Sequence, residues 1–415
     1  MRITTIFRRL LGVSSTVVRD VRFDENDHLV LEVKPTWRKP RCGICGETRK
    51  GYDSPSGPRR WRDLAFGECV LWLEYQLRRV DCPTCGVRAE RVPWAAQGSR
   101  FTLRLEELVA FLAQVADKTT AAAIAGVSWR AVGTVVRRVV DEHLDDSRFD
   151  GVTRIAIDEF SYRKRHKYIT VVVDHDTGRV IWAAKGRGSD TLAAFFEQLG
   201  PQRTAALTTA TIDMAGGYIK ALRELAPHIE VVFDRFHVQR LAHDALDEVR
   251  REVSRLMRED EDTKEQAKAI KGARYSLHRR IANQTLEDDR RLQEIRKVSK
   301  PLTRGWELKE TLAEILDRKQ RHVAARLLGE WLDWATRSRL KPFVRVAKTI
   351  RRHLGGVLAY LKERLTNGLA EGTNNKLRAV TRRAFGFHSA DALIGMLYLC
   401  CGGIVLDPPL PKPTH

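Results

Sequence analysis

Two Cys-x-x-Cys pairs, Cys42-Gly-Ile-Cys45 and Cys82-Pro-Thr-Cys85, constrain this chain more than any other feature. Two intervening residues let both sulfurs of a pair reach one ion, and two pairs complete a tetrahedral four-thiolate zinc site. Glycine follows each pair, at Gly46 and Gly86, which makes two separate redox motifs the weaker alternative. The long segment between the pairs has strand-like alternation through Val70, Trp72 and Glu74 to Val80 and includes Arg78-Arg79. The expectation is a zinc ribbon holding structural Zn²⁺, whose strands carry the second pair back to the first. Cys69, Cys400 and Cys401 stand outside the pairs and read as packing residues. Seven cysteines in 415 residues do not suggest a disulfide scaffold, and the chain reads as cytoplasmic.

A chain of 415 residues is too long for one ordinary core. Its net charge of +20 points to a polyanion partner, most often nucleic acid. A ribosomal or merely soluble basic protein is the alternative. No long apolar segment follows the first arginines, so no signal peptide is expected. The uncharged run from Ala392 is broken by Gly395, Gly402 and Gly403. It reads as a buried helix with its exit, not as a membrane span.

Residues 1 to 40 read as strands, with Thr16 to Phe23 and Leu29 to Val33 joined by the turn Asp24-Glu25-Asn26-Asp27. Residues 101 to 143 read as three helices. Leu105, Leu108, Val109, Leu112 and Val115 recur at helical spacing. Thr119 or Thr120 can cap a short second helix, Gly126-Val127 makes a turn, and Ser128 caps a third. This order is that of a helix-turn-helix, with Arg130, Arg137 and Arg138 offered by the third helix to a major groove. An ordinary helical bundle is the alternative.

From Val152 the pattern becomes α/β. Strands are expected over Thr153–Ile157, Tyr168–Val173, Arg179–Ala184, Leu207–Ile212 and Ile229–Phe233, with helices over Asp190–Leu199 and Ala215–Leu225. Three antiparallel strands followed by βαβ alternation is the order of a ribonuclease-H-like sheet. In that order the first strand and the one before Asp213 are parallel neighbours, and Asp158 and Asp213 emerge at one edge. A third carboxylate, Glu371, opens a helical stretch near the C-terminus. Such a trio can hold two metal ions, which suits phosphodiester chemistry and Mg²⁺. With 53 acidic residues present, a chance trio is the bland alternative. Asp234-Arg-Phe-His237 reads two ways: Asp234 caps the next helix, or it lies near the cleft with Arg235 and His237 on phosphate.

Residues 239 to 365 read as nearly all helical, with a surplus of Lys and Arg suited to DNA backbone. The charge run from Arg258 to Lys271 reads as an exposed hairpin between helices. On the last helix, Asn374, Asn375, Arg378 and Arg382 share a face with Glu371. Leu377, Val380 and Ala384 form the opposite, buried face, and the helix is expected to end at Gly386.

These motifs together resemble the DDE transposases of bacterial insertion sequences, the ISL-three family. The likeness covers nearly the whole chain. It rests on the cysteine pairs with Trp61-Arg-Asp-Leu64 and Arg78-Arg79, then on Ile157-Asp158-Glu159, Ile212-Asp213-Met214 and Asp234-Arg-Phe-His237. It ends in Leu369-Ala-Glu371-Gly-Thr-Asn374-Asn375-Lys376 and Arg383-Ala-Phe-Gly-Phe387. Thr366-Asn367 departs from an expected Ser-Asn. The resemblance implies Asp158, Asp213 and Glu371 as catalytic triad and ligands of two Mg²⁺, with Mn²⁺ able to substitute. Asn374, Asn375, Arg378 and Arg382, on the face of Glu371, can hold phosphates, and with Lys376 they are the expected DNA contacts of the last helix. The resemblance also implies a bacterial, nucleoid-associated enzyme that cuts and joins double-stranded DNA at terminal inverted repeats, working as a homodimer or higher oligomer. A DNA-binding regulator using only ribbon and helix-turn-helix, or a structure-specific nuclease on the same fold, is the alternative.

The expected architecture is multidomain α/β. Strands and zinc ribbon occupy 1–96 and the helix-turn-helix 97–148. A ribonuclease-H-like core over 149–238 is interrupted by an all-α insertion over 239–365 and completed by 366–415.

Overall fold

The computed structural model describes all residues but 1, 56, 164–166, 215, 364–367, 384–386, 388 and 411–415. The side chains of residues 160, 163, 216, 368–371 and 374 are likewise outside the description. By contact the chain forms two units, Met1–Asp145 with Ala379–His415, and Asp146–Arg378.

The first unit opens with a helix, α1 (Ile3–Leu11), where strands alone were expected. The reason is visible in hindsight: Ile3, Ile6, Phe7, Leu10 and Leu11 recur at intervals of three and four. Gly12 then stops the helix in the left-handed region, at φ +61°. Strands β1 (Thr16–Phe23) and β2 (Leu29–Pro35) pair antiparallel. In the turn between them, Asp24 Oδ1 accepts from the N–H groups of Asn26 and His28 at 3.0 and 3.1 Å.

The segment between the cysteine pairs divides between two sheets. It contains β3 (Lys50–Gly51), β4 (Arg59–Arg62), β5 (Leu71–Tyr75) and the start of the hairpin β6 (Arg79–Cys82) and β7 (Gly86–Ala89). Strands β4 and β5 join the N-terminal pair in the order β1-β2-β5-β4, while β3-β6-β7 form the ribbon. The alternation through Val70 and Trp72 therefore does not belong to the ribbon. The apolar face explains it. Leu71 and Leu73 pack with Leu29, Leu31, Trp61 and Trp94 in one core, whereas the ribbon buries only Val80 with its cysteines. Burying a leucine fully is worth about 1.5–3 kcal/mol, so β5 goes where its leucines are covered.

Helices α2 (Leu103–Val115), α3 (Lys118–Ala125) and α4 (Trp129–His143) follow. Thr102 caps α2 through Leu105 N–H, and Ser128 caps α4 through Ala131 N–H. Asp117, not Thr119 or Thr120, caps α3, accepting from both of their N–H groups. A carboxylate one turn earlier outcompetes the hydroxyls because it accepts two backbone donors at once.

The second unit is built on β8 (Arg154–Arg163), β9 (Lys167–Asp174) and β10 (Val180–Lys185). Next come α5 (Ser189–Leu199), α6 (Pro201–Ala206), β11 (Thr209–Ile212), α7 (Gly216–Leu225) and β12 (Glu230–Phe233). The strand order is β10-β9-β8-β11-β12, with the first three antiparallel and β11 parallel to both its neighbours. Ile155, Ile157, Leu192, Phe195, Ile212 and Leu222 fill the core.

Eight helices follow: α8 (Arg235–Glu259), α9 (Lys264–Gly272), α10 (Arg274–His278), α11 (Leu286–Val298), α12 (Lys300–Asp317), α13 (Arg321–Arg337), α14 (Lys341–Arg352) and α15 (Leu354–Glu363). The charge run from Arg258 is the end of α8, a turn, and α9.

Helix α15 packs on β12 so closely that a Cβ on Gly356 would sit 2.3 Å from the Phe233 ring. Gly356→Ala is therefore expected to destabilise by about 1–2 kcal/mol, an overpacking cost larger than the helix-propensity gain. Gly355→Ala, which meets nothing within 4 Å, should stabilise slightly. Thermal melts of the two variants check the contrast.

The chain continues as α16 (Gly368–Arg383) and α17 (Ala390–Cys401). The sequence reading grouped 366–415 in one block; by contact Ala379–His415 groups with the first unit, where α17 packs on α4 and α2. Arg383 donates to the carbonyls of Gln114 and Ala113 at 2.9 and 2.8 Å, satisfying the C-terminal end of α2. Gln114 Nε2 donates to Leu399 O at 2.7 Å. Among the described residues no helix is long and apolar enough to cross a membrane.

Candidate functional site

The four expected cysteines converge. The Sγ atoms of Cys42, Cys45, Cys82 and Cys85 lie within 4.8 Å of one another, with Cys45 and Cys82 at 3.7 Å. Sulfurs about 2.3 Å from a tetrahedral ion stand roughly 3.8 Å apart, so the set fits zinc. Gly46 and Gly86 both take φ +74°, which explains the glycine after each pair. Burial pushes the Cys82 thiol up, but the N–H groups of Cys85 and Thr84 outweigh it and bring it down to about 6. The Cys85 thiol is pushed up to about 12, first by burial and then by its hydrogen-bonded partners Cys82, Cys45 and Cys42. Crowded sulfurs of this kind hold a proton between them until a divalent cation takes its place.

On α4, Arg130 and Arg137 are exposed. Arg138 is not: it pairs with Glu106 of α2, which is 2% exposed. A buried carboxylate needs a cation, and α4 supplies one.

In the second unit, β11 pairs with β8 in the register Thr209↔Arg154, Ala210↔Ile155, Thr211↔Ala156. Carried two positions on, that parallel register sets Asp213 beside Asp158. On the other side Ile212 pairs with Phe233, and Asp234 N–H donates to Ile212 O at 3.2 Å. Asp158, Asp213 and Asp234 thus stand in a row across three parallel strands. Asp158 does not end its strand. Strand β8 runs on to Arg163, paired with β9, and Asp158 lies opposite Val171. The Asp158 Oδ1 atom accepts from Glu159 N–H at 2.7 Å.

Glu159 was given no role from sequence, yet it belongs to this cluster. Its carboxyl is raised, first by burial, with Asp213 and Asp158 adding and Arg187 opposing from 3.5 Å. Tyr218 on α7, hydrogen-bonded to Thr170 Oγ1 at 2.8 Å, is pushed up to about 12 by burial, with Glu159 and Asp213 contributing. The acidic cluster repels itself, which is what a cation-binding edge does without its cation. Its donor set of hard carboxylate oxygens suits Mg²⁺. Glu159 stands next to Asp158 in the quoted motif, whereas no sequence signal marks Tyr218, because its proximity depends on how α7 crosses the sheet.

Asp234 is 8% exposed and caps α8, accepting from Phe236 N–H at 3.1 Å. Its other oxygen lies 3.8 Å from His237 Nε2. Arg235 pairs with Asp317. Of the motif, the cap and the strand-edge position are both realised, and Arg235 is engaged within the protein.

Glu371 lies near the start of α16, and its side chain, like that of Asn374, is outside the described residues, as are Ala384, Gly386 and Thr366-Asn367. Leu377 and Val380 are buried, as expected, while Asn375, Lys376, Arg378 and Arg382 are exposed. Thr373 Oγ1 donates to Gly178 O at 2.7 Å.

Residues 155–397 match a family model described as transposase. Residues 90–140 match the helix-turn-helix domain of transposase family ISL3. Residues 38–85 match the zinc-finger of transposase IS204/IS1001/IS1096/IS1165. The chain is 37% identical to the transposase for insertion sequence element IS1557 of Mycobacterium tuberculosis, over 97% of this chain and 96% of that one. It is 29% identical to the transposase for insertion sequence element IS1001 of Bordetella parapertussis, over 89% and 90% of the two. Fold, cysteine cluster and likeness agree: the chain belongs to the ISL3 family of DDE transposases of bacterial insertion sequences.

Proposed function

We propose that this transposase binds the terminal inverted repeats of its element, cuts the DNA ends and joins a 3′-hydroxyl to target DNA, with Asp158, Asp213 and Glu371 as its catalytic carboxylates. The observation that carries the reading is the parallel register of β8 and β11, which sets Asp158 and Asp213 side by side. The strand order β10-β9-β8-β11-β12 supports a ribonuclease-H-like core, with the helices after Asp234 as its all-α insertion. Asp158, Asp213 and Glu371 would hold two Mg²⁺. Those ions, when bound, polarise the scissile phosphate and stabilise the attacking and leaving oxygens. The carboxylates hold the edge negative and correctly spaced. Tyr218 and the core beneath keep it rigid. Exposed Asn375, Lys376, Arg378 and Arg382, with Asn374, would steady the DNA backbone near α16, and a dimer or higher oligomer would pair two ends. Structural Zn²⁺ would hold the ribbon.

The test is a labelled duplex carrying the element's end, incubated with Mg²⁺. Cleavage at the end and strand-transfer products are expected, and a scrambled duplex should stay intact. Equal cutting of both would favour a sequence-independent nuclease.

Recognition is tested separately. Arg130→Glu with Arg137→Glu is expected to lower the preference for the element's end over scrambled DNA at least about tenfold, since each specific contact is worth roughly 1–3 kcal/mol. Arg138 is left intact, because reversing it would set a second carboxylate against buried Glu106. Unchanged discrimination by the double variant would remove α4 as the reader.

A further inference from the structure

Within the first unit a cleft of about 650 Å³ runs between β4, β5 and the turn that leads into α4. Arg59, Arg60, Arg62, Arg100 and His28 line it, with Trp72 on its wall and Gly126 and Ser128 at the helix end. Among the described residues, Arg59, Arg62 and Arg100 make no ion pair, though the Asp63 charge favours the Arg62 guanidinium. The contrast with Arg60 is sharp, since that residue reaches Glu74 and Asp24, each at 2.8 Å. Arg59 has one carbonyl, Ser99 O at 2.8 Å, and lies over the Trp61 ring at 5.1 Å. Arg62 lies over the Trp72 ring at 6.0 Å, and its Nε is buried without a hydrogen-bond partner. Asp63, next to it in sequence, turns instead to Thr102 Oγ1 at 2.6 Å and Arg104 at 3.6 Å.

Such a group of cations opposes folding. Burial, and then the Arg100 charge, hold Arg59 below its ordinary range, and burial does the same to Arg62. Partly desolvated guanidiniums short of counter-charge, as at Arg59 and Arg62, are a cost that a bound anion offsets. A Cβ on Gly126 would lie 3.5 Å from Arg62 Nη2, so this guanidinium is at the mouth of α4. The positive end of that helix, capped by Ser128, adds to the same field.

We propose that this cleft seats the phosphodiester backbone of the DNA duplex at the edge of the groove read by α4, with Arg59, Arg62 and Arg100 on phosphate oxygens. The proposal rests on α4 being the reading helix. When a helix enters the major groove by its N-terminal residues, the strand bounding the groove passes that end. Guanidiniums on phosphates there set register and carry no sequence information. Arginine suits the work because its planar fork meets two phosphate oxygens at once and stacks on tryptophan.

The test uses the full chain with zinc bound and fluorescent duplexes carrying the element's end or a scrambled sequence, titrated over a range of salt. Each lost phosphate contact lowers the slope of log affinity against log salt by about 0.9, so the Arg59→Gln, Arg62→Gln, Arg100→Gln protein should lose about 2.7 from its slope. Over a fourfold rise in salt the parent should then lose roughly 40-fold more affinity than the variant. Discrimination between the duplexes should persist, and lysine at all three positions should restore most of the slope. An unchanged slope in the glutamine protein overturns the proposal. Should that protein lose zinc or melt early, Arg100→Gln, at an exposed position, serves in its place. Its expected loss is about 0.9, and no loss is equally fatal. If the slope falls while the Arg130 and Arg137 double variant still discriminates like the parent, the phosphate contacts in the cleft stand, but their place beside a groove read by α4 falls with the reading of α4.

Discussion

Asp158→Asn and Asp213→Asn are each expected to slow DNA cleavage at least about a thousand-fold while leaving zinc content, folding and end binding near the parent's. Each substitution keeps the size of the side chain and removes one anionic ligand. Metal ions at such an edge supply several kcal/mol of transition-state stabilisation, and about 4 kcal/mol is a factor of a thousand in rate. Glu371→Gln should act likewise. A second readout separates this from misfolding. The carboxylates repel one another across the parallel strands, and Glu159 feels both aspartates. Without Mg²⁺ either variant should therefore melt slightly above the parent. Mg²⁺ should then raise the parent's melting temperature and hardly move the variants', because stabilisation by a ligand follows its binding to the folded state. Asp234→Asn is the control, since asparagine caps a helix nearly as well as aspartate. Retained cleavage would make Asp234 the cap of α8 alone; lost cleavage with an intact fold would make it a fourth ligand. Parental cutting by Asp213→Asn in Mg²⁺ would end the account of the acidic edge.

The second large effect belongs to the ribbon. Freshly purified, reduced protein should carry about one Zn²⁺ per chain, and Cys45→Ser or Cys82→Ser should release it and unfold the ribbon. The core of this sheet explains the size of the effect: Cys42, Val80 and Cys82 are buried in it, with Cys85 packed alongside. Without metal the three short strands have almost nothing to bury. Structural zinc contributes roughly 10–16 kcal/mol of apparent binding energy in small domains, more than such a sheet could replace. The damage should stay local, because the β1-β2-β5-β4 sheet has its own core around Trp61 and Trp94. Limited proteolysis should cut within the ribbon, at residues 41–53 and 79–91, while the β1-β2-β5-β4 sheet survives, and end binding should weaken. Metal analysis finding no zinc, or a Cys82→Ser protein as protease-resistant as the parent, would remove the site.

Local features were legible in the sequence wherever a short stretch decides the outcome by itself. Cys-x-x-Cys followed by glycine needs only one turn, and both glycines take the left-handed backbone such a turn demands. Ser128 caps α4 because its hydroxyl meets an N–H three residues on. Alternation and helical spacing marked the strands that end before Asp213 and Asp234, and the resemblance marked their carboxylates. The rest required the chain to fold back on itself. Whether β5 belongs to the ribbon or to the N-terminal sheet depends on which surface covers Leu71 and Leu73. Arg138 and Arg235 look like free cations in sequence, but Glu106 and Asp317 reach them from other helices. Glu159 joins the acidic edge, and Arg62 is left unpaired beside α4, through contacts between elements distant in the chain. Hydrogen bonds within a turn span a few residues and are written in neighbouring letters. Burial and ion pairing are set by whatever the tertiary fold brings within about 4 Å, and no local pattern encodes that distance.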